Sequence, residues 1–247
     1  SREKADSRTM MAPFPAKDQE NIIPPLKDGD IRIIPLGGVE EIGRNMTMVE
    51  YKDSIVIIDA GLQFSEVNTP GVDYILANTK YLEDRKHKVK AVVITHGHLD
   101  HTGGVPYLME KIGNPPLYSR ALTTLLIQKR QEEFPHLTPL DIRIIEKNDR
   151  VTMGDFKVRF FSVTHTIPDA MGVIIETPYG NIVHTGDLKL DHVDGKPTMD
   201  EEDQWDALTG GGQKNLLLMA DSTNVERPGY SFSEKTVLKN IENIIRT

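Results

Sequence analysis

The chain contains no cysteine. That excludes a disulfide framework, a thiolate zinc site and a cysteine nucleophile. No apolar run approaches the roughly 20 residues a membrane helix needs. The opening segment, SREKADSRTMMAPFPAKDQENIIPP, lacks the apolar centre of a secretory signal. There is no G-x-x-x-x-G-K-[ST] phosphate loop, no G-x-S-x-G elbow and no repeat of solenoid period, which weakens nucleotide-hydrolase, serine-hydrolase and solenoid readings. An excess of basic charge is also missing: Lys+Arg 29 stand against Asp+Glu 37, for a net charge of -8. What remains is a soluble, cytoplasmic protein of 247 residues, enough for one ample core or one domain plus the start of another.

The charge balance decides less than it suggests. Asp191–Asp206 holds seven acids and one lysine, so the rest of the chain is close to neutral. Several other acids sit in motifs that look like metal ligands, where bound cations would cancel them. Net charge therefore does not exclude a nucleic-acid partner.

Residues 1–30 read as a polar, proline-punctuated, flexible extension. Strands are expected at Ile31–Leu36, Asn45–Tyr51, Ser54–Ile58, Lys90–Thr95, Asp141–Glu146, Asp155–Val163, Met171–Thr177 and Asn181–Thr185, with one more buried strand at Asn215–Ala220. Helices are expected at Tyr74–Asp84, Asp100–Lys111, Ala121–Phe134, near Gln204–Leu208, and after Ser233, a candidate N-cap. The chain is thus mixed α/β. Its run of strands over 155–185 fits a simple doubly wound sheet poorly.

The chemistry concentrates in T-H-G-H-L-D-H at 95–101. His96, His98, Asp100 and His101 fall directly after a buried strand and at a helix start, so their side chains can converge. Neutral imidazole and carboxylate are ligands that zinc and manganese accept. The spacing is not the i, i+4 pair of a helical H-E-x-x-H protease. His165, in FFSVTHTIPDAMG, and Asp187, in NIVHTGDLK, each close an apolar strand. Alone each reads as structural; beside H-x-H-x-D-H both become candidate ligands.

Taken in order, Asp59 (IIDAGL), His96-x-His98-x-Asp100-His101, His165 and Asp187 resemble the metallo-β-lactamase superfamily. LGGVEEIGRN at 36–45, HGHLDHTGG, VTHTIPDAMG, HTGDLK and ADSTNVERPGYSFSE at 220–234 narrow the resemblance to the RNase J group of beta-CASP nucleases, over about residues 31–247. The resemblance implies an αββα sandwich, incomplete here, over 31–226, with the start of a beta-CASP insertion at 227–247. It implies two divalent metal ions, zinc first and manganese second. His96, His98 and His165 would hold one ion, Asp100 and His101 the other, and Asp187 would bridge both. Asp59 would orient ligands, and Asp221 matches an acidic motif, giving Asp100, Asp187 and Asp221 as catalytic candidates. The implied activity is 5′-exonucleolytic and endonucleolytic hydrolysis of RNA, by a full-length homodimer or tetramer acting in RNA processing and decay away from membranes. The second ion of such enzymes also takes a histidine far downstream. No histidine follows Asp221, so the chain reads as the N-terminal portion of a longer nuclease.

Weaker features have two readings each. Asn224, Arg227, Ser231 and Ser233 lie where relatives gather groups near RNA phosphates, but Pro228-Gly229 also reads as a turn and Ser233 as a helix cap. Lys80–Lys90 carries five bases against two acids; a solvated helix end is the first reading and an RNA contact the second. The acidic 191–206 stretch reads as a solvated loop anchored by Trp205, and His184 as either a ligand-orienting or a core residue. Competing functions are a thioester or lactone hydrolase of the same superfamily, and a catalytically incomplete fragment.

Overall fold

The computed structural model describes residues 23–65, 70–192, 196–209, 213–229 and 231–246. The first 22 residues of the expected extension lie outside them. Residues 23–30 run against the body: the Tyr179 hydroxyl donates to the Gly29 carbonyl (2.6 Å), and the Arg32 guanidinium donates to the Pro24 carbonyl.

Among the described residues, thirteen strands and six α-helices follow in order, with one 3-10 turn at Lys86–Lys88. They are β1 (Ile31–Gly37), β2 (Met46–Tyr51), β3 (Ser54–Ile58), β4 (Leu62–Phe64), β5 (Tyr74–Leu76), α1 (Lys80–Glu83), β6 (Val89–Val93), α2 (Leu99–Thr102), α3 (Val105–Leu108), β7 (Leu117–Ser119) and α4 (Ala121–Gln131). Then come β8 (Ile142–Ile144), β9 (Arg150–Met153), β10 (Phe156–Ser162), β11 (Met171–Thr177), β12 (Gly180–His184), α5 (Met199–Thr209), β13 (Asn215–Met219) and α6 (Glu234–Arg246). One sheet has the order β1-β2-β3-β6-β7-β8, a second β13-β12-β11-β10-β9, and β4-β5 form a small hairpin sheet.

Side-chain alternation explains the layering. In β3, Ile55 and Ile57 turn outward and pack with Leu82, Val105, Leu108, Ile112 and Ile127 from the helical layer. Val56 and Ile58 turn inward and meet Phe156, Val158, Phe160, Val173 and Ile175 of the second sheet. On that sheet's far side Phe161, Ile174 and Val183 pack with Leu208 of α5. Strands buried on both faces read as continuous apolar runs, which is why SIVII and KAVVIT are legible. The result is the αββα sandwich.

Several elements differ from expectation. Tyr74–Leu76 is strand, paired with Leu62–Phe64, and the helix shrinks to Lys80–Glu83, where the Asn78 side chain accepts from the Lys80 amide (3.0 Å). The helix expected over 100–111 breaks into α2 and α3 at Gly103-Gly104, because the Gly104 amide leaves the helix to donate to the Ala60 carbonyl (2.8 Å). A strand at Arg150–Met153 was not expected; it forms a hairpin with β10 through the Gly154-Asp155 turn. The acidic stretch is not wholly a loop: α5 covers Met199–Thr209, and the Glu201 carboxylate is buried, accepting from the Asp191 (2.6 Å) and Thr198 (2.9 Å) amides. Asn215–Met219 is an edge strand rather than a buried one, with Leu216 and Leu218 half exposed. No helix among the described residues is long and apolar enough to cross a membrane.

Candidate metal centre

Five strand ends deliver the site. β3 and β6 run parallel in one sheet. In the other, β12 and β13 are parallel, and β10 shares their direction because both neighbour antiparallel β11. Asp59 follows β3, Thr95 to His101 follow β6, His165 follows β10, Asp187 follows β12 and Asp221 follows β13. The Met171 amide donates to the Thr95 carbonyl (3.0 Å), stitching the two sheets together beside these ends.

Tight backbone contacts set the geometry. Gly61 lies so close to α2 that a Cβ there would sit 1.6 Å from the Asp100 carbonyl oxygen. Asp59 adopts a left-handed φ of +63°, which Asp and Asn tolerate better than other side chains. Its buried carboxylate accepts from the Thr95 amide (2.8 Å) and the Thr95 hydroxyl (3.0 Å), and pairs with His101 Nδ1 (2.8 Å).

Two ligand clusters result. His96 Nε2 lies 3.1 Å from His98 Nδ1, and His165 Nε2 lies 3.3 Å from the same atom. His101 Nε2 lies 3.4 Å from Asp100 Oδ2 and 3.3 Å from Asp187 Oδ1, while Asp187 Oδ2 is 3.8 Å from His165 Nε2. His96, His98 and His165 form one group of converging donor atoms, and His96, His101 and Asp187 another, all within 4.8 Å of one another in each. Asp187 therefore faces both groups.

Protonation matches a ligand set. Burial, with the neighbouring His101 charge, lowers His96 to about 3. Burial also lowers His165. Both rings are thus neutral near pH 7 and present lone pairs. Burial alone would raise Asp187, but His101, His96 and His165 outweigh it and bring Asp187 down to about 2. Asp100 is lowered by His101 against the same opposition. Burial opposes a charge on His101 too, yet Asp59, Asp100 and Asp187 hold it well above its ordinary value. A proton on His101 thus supplies the cation these carboxylates demand.

Divalent ions fit this arrangement. A tetrahedral zinc with nitrogen ligands at about 2.0–2.1 Å places those nitrogens about 3.3 Å apart. The His96–His98 and His165–His98 separations of 3.1 and 3.3 Å lie close to that edge. The converging nitrogens of His96, His98 and His165 are a donor set that a divalent cation accepts.

A cavity of about 410 Å³ opens beside these groups. Its walls are the Gly37–Gly43 loop, Asn45, Asp59, Asp100, His101, His184, Asp187 and Asp221–Thr223. Asp221 accepts from the Thr223 amide (2.8 Å) and hydroxyl (2.7 Å), and from the Leu188 amide (3.3 Å). His184, kept neutral by burial, accepts at Nδ1 from the Gly186 amide (3.0 Å), so it shapes the turn before Asp187. Asn224 and Arg227 lie in an exposed turn, and Ser231 is exposed; none lines this cavity. Ser233 is buried at the start of α6, its hydroxyl accepting from the Thr236 amide (3.3 Å).

One site residue was not read from the sequence as such. Asn45 Nδ2 approaches the Asp100 carbonyl (3.2 Å), Asp100 Oδ2 (3.3 Å) and His101 Nε2 (3.1 Å). Its only signal was its place at the end of LGGVEEIGRN. In that loop Glu41 pairs with Arg44 and accepts from the Gly38 amide (2.9 Å). The Arg44 guanidinium and the Gly38 amide hold the Glu41 carboxyl below its ordinary value.

The chain was compared with known proteins. The family model of the metallo-beta-lactamase superfamily matches residues 39–211. Ribonuclease J of Thermus thermophilus is 43% identical over 224 residues, covering 87% of this chain and 38% of that protein. Ribonuclease J 1 of Streptococcus pyogenes is 39% identical over 220 residues, 89% of this chain and 39% of the relative. The chain thus spans about two fifths of the length of these curated relatives. A crystal structure of a protein of unknown function from Enterococcus faecalis superposes with a TM-score of 0.63 at 20% identity, over 86% of this chain and 56% of that one. The strand-end histidines and aspartates, the two-sheet sandwich and the matched residues agree: the chain belongs to the metallo-beta-lactamase superfamily.

Proposed function

We propose that this chain carries the metal centre of a ribonuclease of the RNase J kind, hydrolysing RNA phosphodiester bonds. The observation that carries the reading is the pair of ligand clusters facing one carboxylate, Asp187. The ribonuclease J relatives supply the substrate class. His96, His98 and His165 would hold one divalent ion, Asp100 and His101 the second, and Asp187 both, with zinc ahead of manganese. Such a pair of ions supplies Lewis acidity towards the phosphoryl oxygens and lowers the pKa of water.

The protein groups do the positioning. Asp100, ionised at neutral pH, orients the attacking water by accepting its hydrogen bond. Asn45, with its amide nitrogen against Asp100, fixes that carboxylate. Asp59 holds the His101 ring through Nδ1, leaving Nε2 to face the centre. Asp221 lies on the cavity wall, where it would orient a leaving or attacking group. The 5′-exonucleolytic and endonucleolytic modes, the oligomer and the beta-CASP segment from residue 227 belong to the same proposal, as does a cytoplasmic setting.

The test is cleavage of 5′-monophosphorylated RNA by the protein with and without Asp100→Ala. Loss of cleavage in the variant, and on chelation of the wild type, supports the reading. Undiminished cleavage by Asp100→Ala overturns the role assigned to Asp100. Rapid turnover of a thioester with RNA left intact overturns the substrate class.

A further inference from the structure

A second cavity, of about 560 Å³, lies at the other end of the first sheet from the metal centre. Glu50 at the end of β2 and the Lys52-Asp53 hairpin line it, whereas Asp59 leaves the far end of β3. Five residues of β3 separate the two places, about 17 Å at strand rise.

The charges in this cleft divide into satisfied and unsatisfied groups. Glu50 is buried and fully engaged: the Tyr81 hydroxyl donates to it (2.6 Å), and Arg32 (3.2 Å) and Lys88 (3.6 Å) pair with it. Lys88 also reaches Asp53 (3.3 Å). Three further cations line the same cavity, Lys27, Lys52 and Arg85. Among the described residues none of the three has a carboxylate within ion-pair distance. Arg85 is instead held in place, its guanidinium 4.0 Å from the Tyr81 ring centre and donating to the Tyr81 carbonyl (3.0 Å). Lys52 sits over the Tyr51 ring at 5.1 Å. The chain as a whole is anionic, at -8, so a cleft walled by five bases against three acids stands apart from the rest.

We propose that this cleft binds linked phosphate groups through Lys27, Lys52 and Arg85. Each offers N–H donors and an uncompensated charge to an oxyanion. Of the three carboxylates on the wall, Glu50 is buried and paired with Arg32 and Lys88, and Asp53 is paired with Lys88. Asp28 stands against Lys27, Lys52 and Arg85, so the cleft keeps an excess of two positive charges. An RNA backbone is the source of those phosphates if the ribonuclease reading holds, and that part rests on it; the phosphate chemistry itself does not. The basic 80–90 segment thereby contributes Arg85 and Lys88 to one site, rather than a uniformly solvated helix end.

The test is binding of single-stranded RNA, read by fluorescence anisotropy with a chelator present so that no cleavage occurs. Three phosphate contacts imply about a 20-fold loss of affinity between 50 and 200 mM salt. The double variant Lys52→Gln/Arg85→Gln would lower the log–log salt slope by about 1.4, cutting the loss due to the cleft to about threefold. Lys27→Gln/Lys52→Gln, which leaves the Tyr81 stack untouched, would lower it equally. Inorganic tripolyphosphate is the second probe. If the RNA slope is unchanged while tripolyphosphate binding weakens at least tenfold, the phosphate site stands with a free polyphosphate as its ligand. If neither probe responds to either variant, the proposal is overturned. Cleavage by the wild-type protein with metal restored is read separately, so failure of the ribonuclease reading would show as absent wild-type cleavage with the salt response and its loss in the double variants intact.

Discussion

Asp59→Asn separates charge from shape at the centre. The substitution keeps the side-chain outline, and Asn accepts the left-handed φ of +63° at this position. It cannot keep the hydrogen bonds. The carboxylate accepts from the Thr95 amide at 2.8 Å and faces His101 Nδ1 at 2.8 Å. If the Asn carbonyl oxygen stays on the Thr95 amide, its NH₂ faces His101 Nδ1. His101 then has to carry its proton on Nε2, the atom that faces Asp100 and Asp187. If the amide turns the other way, the buried Thr95 N–H loses its acceptor, at a cost of about 1–3 kcal/mol. Loss of a group that orients a ligand typically weakens metal binding about 10–100-fold, or about 1.4–2.7 kcal/mol. Competition with a chelator of known affinity measures this for the ion proposed at His101 and Asp187. Heteronuclear NMR of the imidazole nitrogens reports the His101 tautomer. Unchanged affinity in the variant, with the His101 proton still on Nδ1, would refute the reasoning.

The close approach at Gly61 gives a second prediction. A Cβ there would meet the Asp100 carbonyl oxygen at 1.6 Å and the Asn45 amide nitrogen at 2.8 Å, both backbone atoms. Gly61→Ala therefore has to move α2, with an overpacking cost of about 3 kcal/mol and a fall in Tm of about 6–12 °C for a chain of this size; calorimetry with metal quantification checks that stability and metal content fall together. Glu41, whose carboxyl is lowered by Arg44 and the Gly38 amide, gives a pH dependence. A depressed carboxylate contributes stability that is present above its unfolded value near 4.5 and is lost as pH falls through the folded value. The melting difference between wild type and Glu41→Gln is accordingly expected to be constant from pH 6 to 8 and to shrink below about pH 4.5, and a difference that grows on acidification would contradict the sign.

The layers were legible where both faces of a strand are buried. SIVII and KAVVIT had no polar interruption, and each packs helices on one side and a sheet on the other. The same cue misread NLLLM: hydrophobicity alone does not distinguish an interior strand from the edge strand that β13 forms. Tyr74–Leu76 deceived for another reason, since its pairing with Leu62–Phe64 depends on a neighbour in space that no local periodicity announces. At the site, His96, His98, Asp100 and His101 were readable because the chain carries them within six residues. His165 and Asp187 needed the habit of strand ends to gather on one edge. Asn45 was invisible as a site residue because Asp100, the group that gives it meaning, lies 55 residues away. The burial of Glu201 in an acidic stretch was equally hidden, for its partners are the backbone amides of Asp191 and Thr198.

The most direct test is a crystal of the protein soaked in zinc, with anomalous scattering recorded at the zinc edge. The account predicts a peak about 2.0–2.1 Å from one nitrogen each of His96, His98 and His165, on the side that faces Asp187. Rings turned away from one another, with no anomalous density between them at saturating zinc, would contradict it.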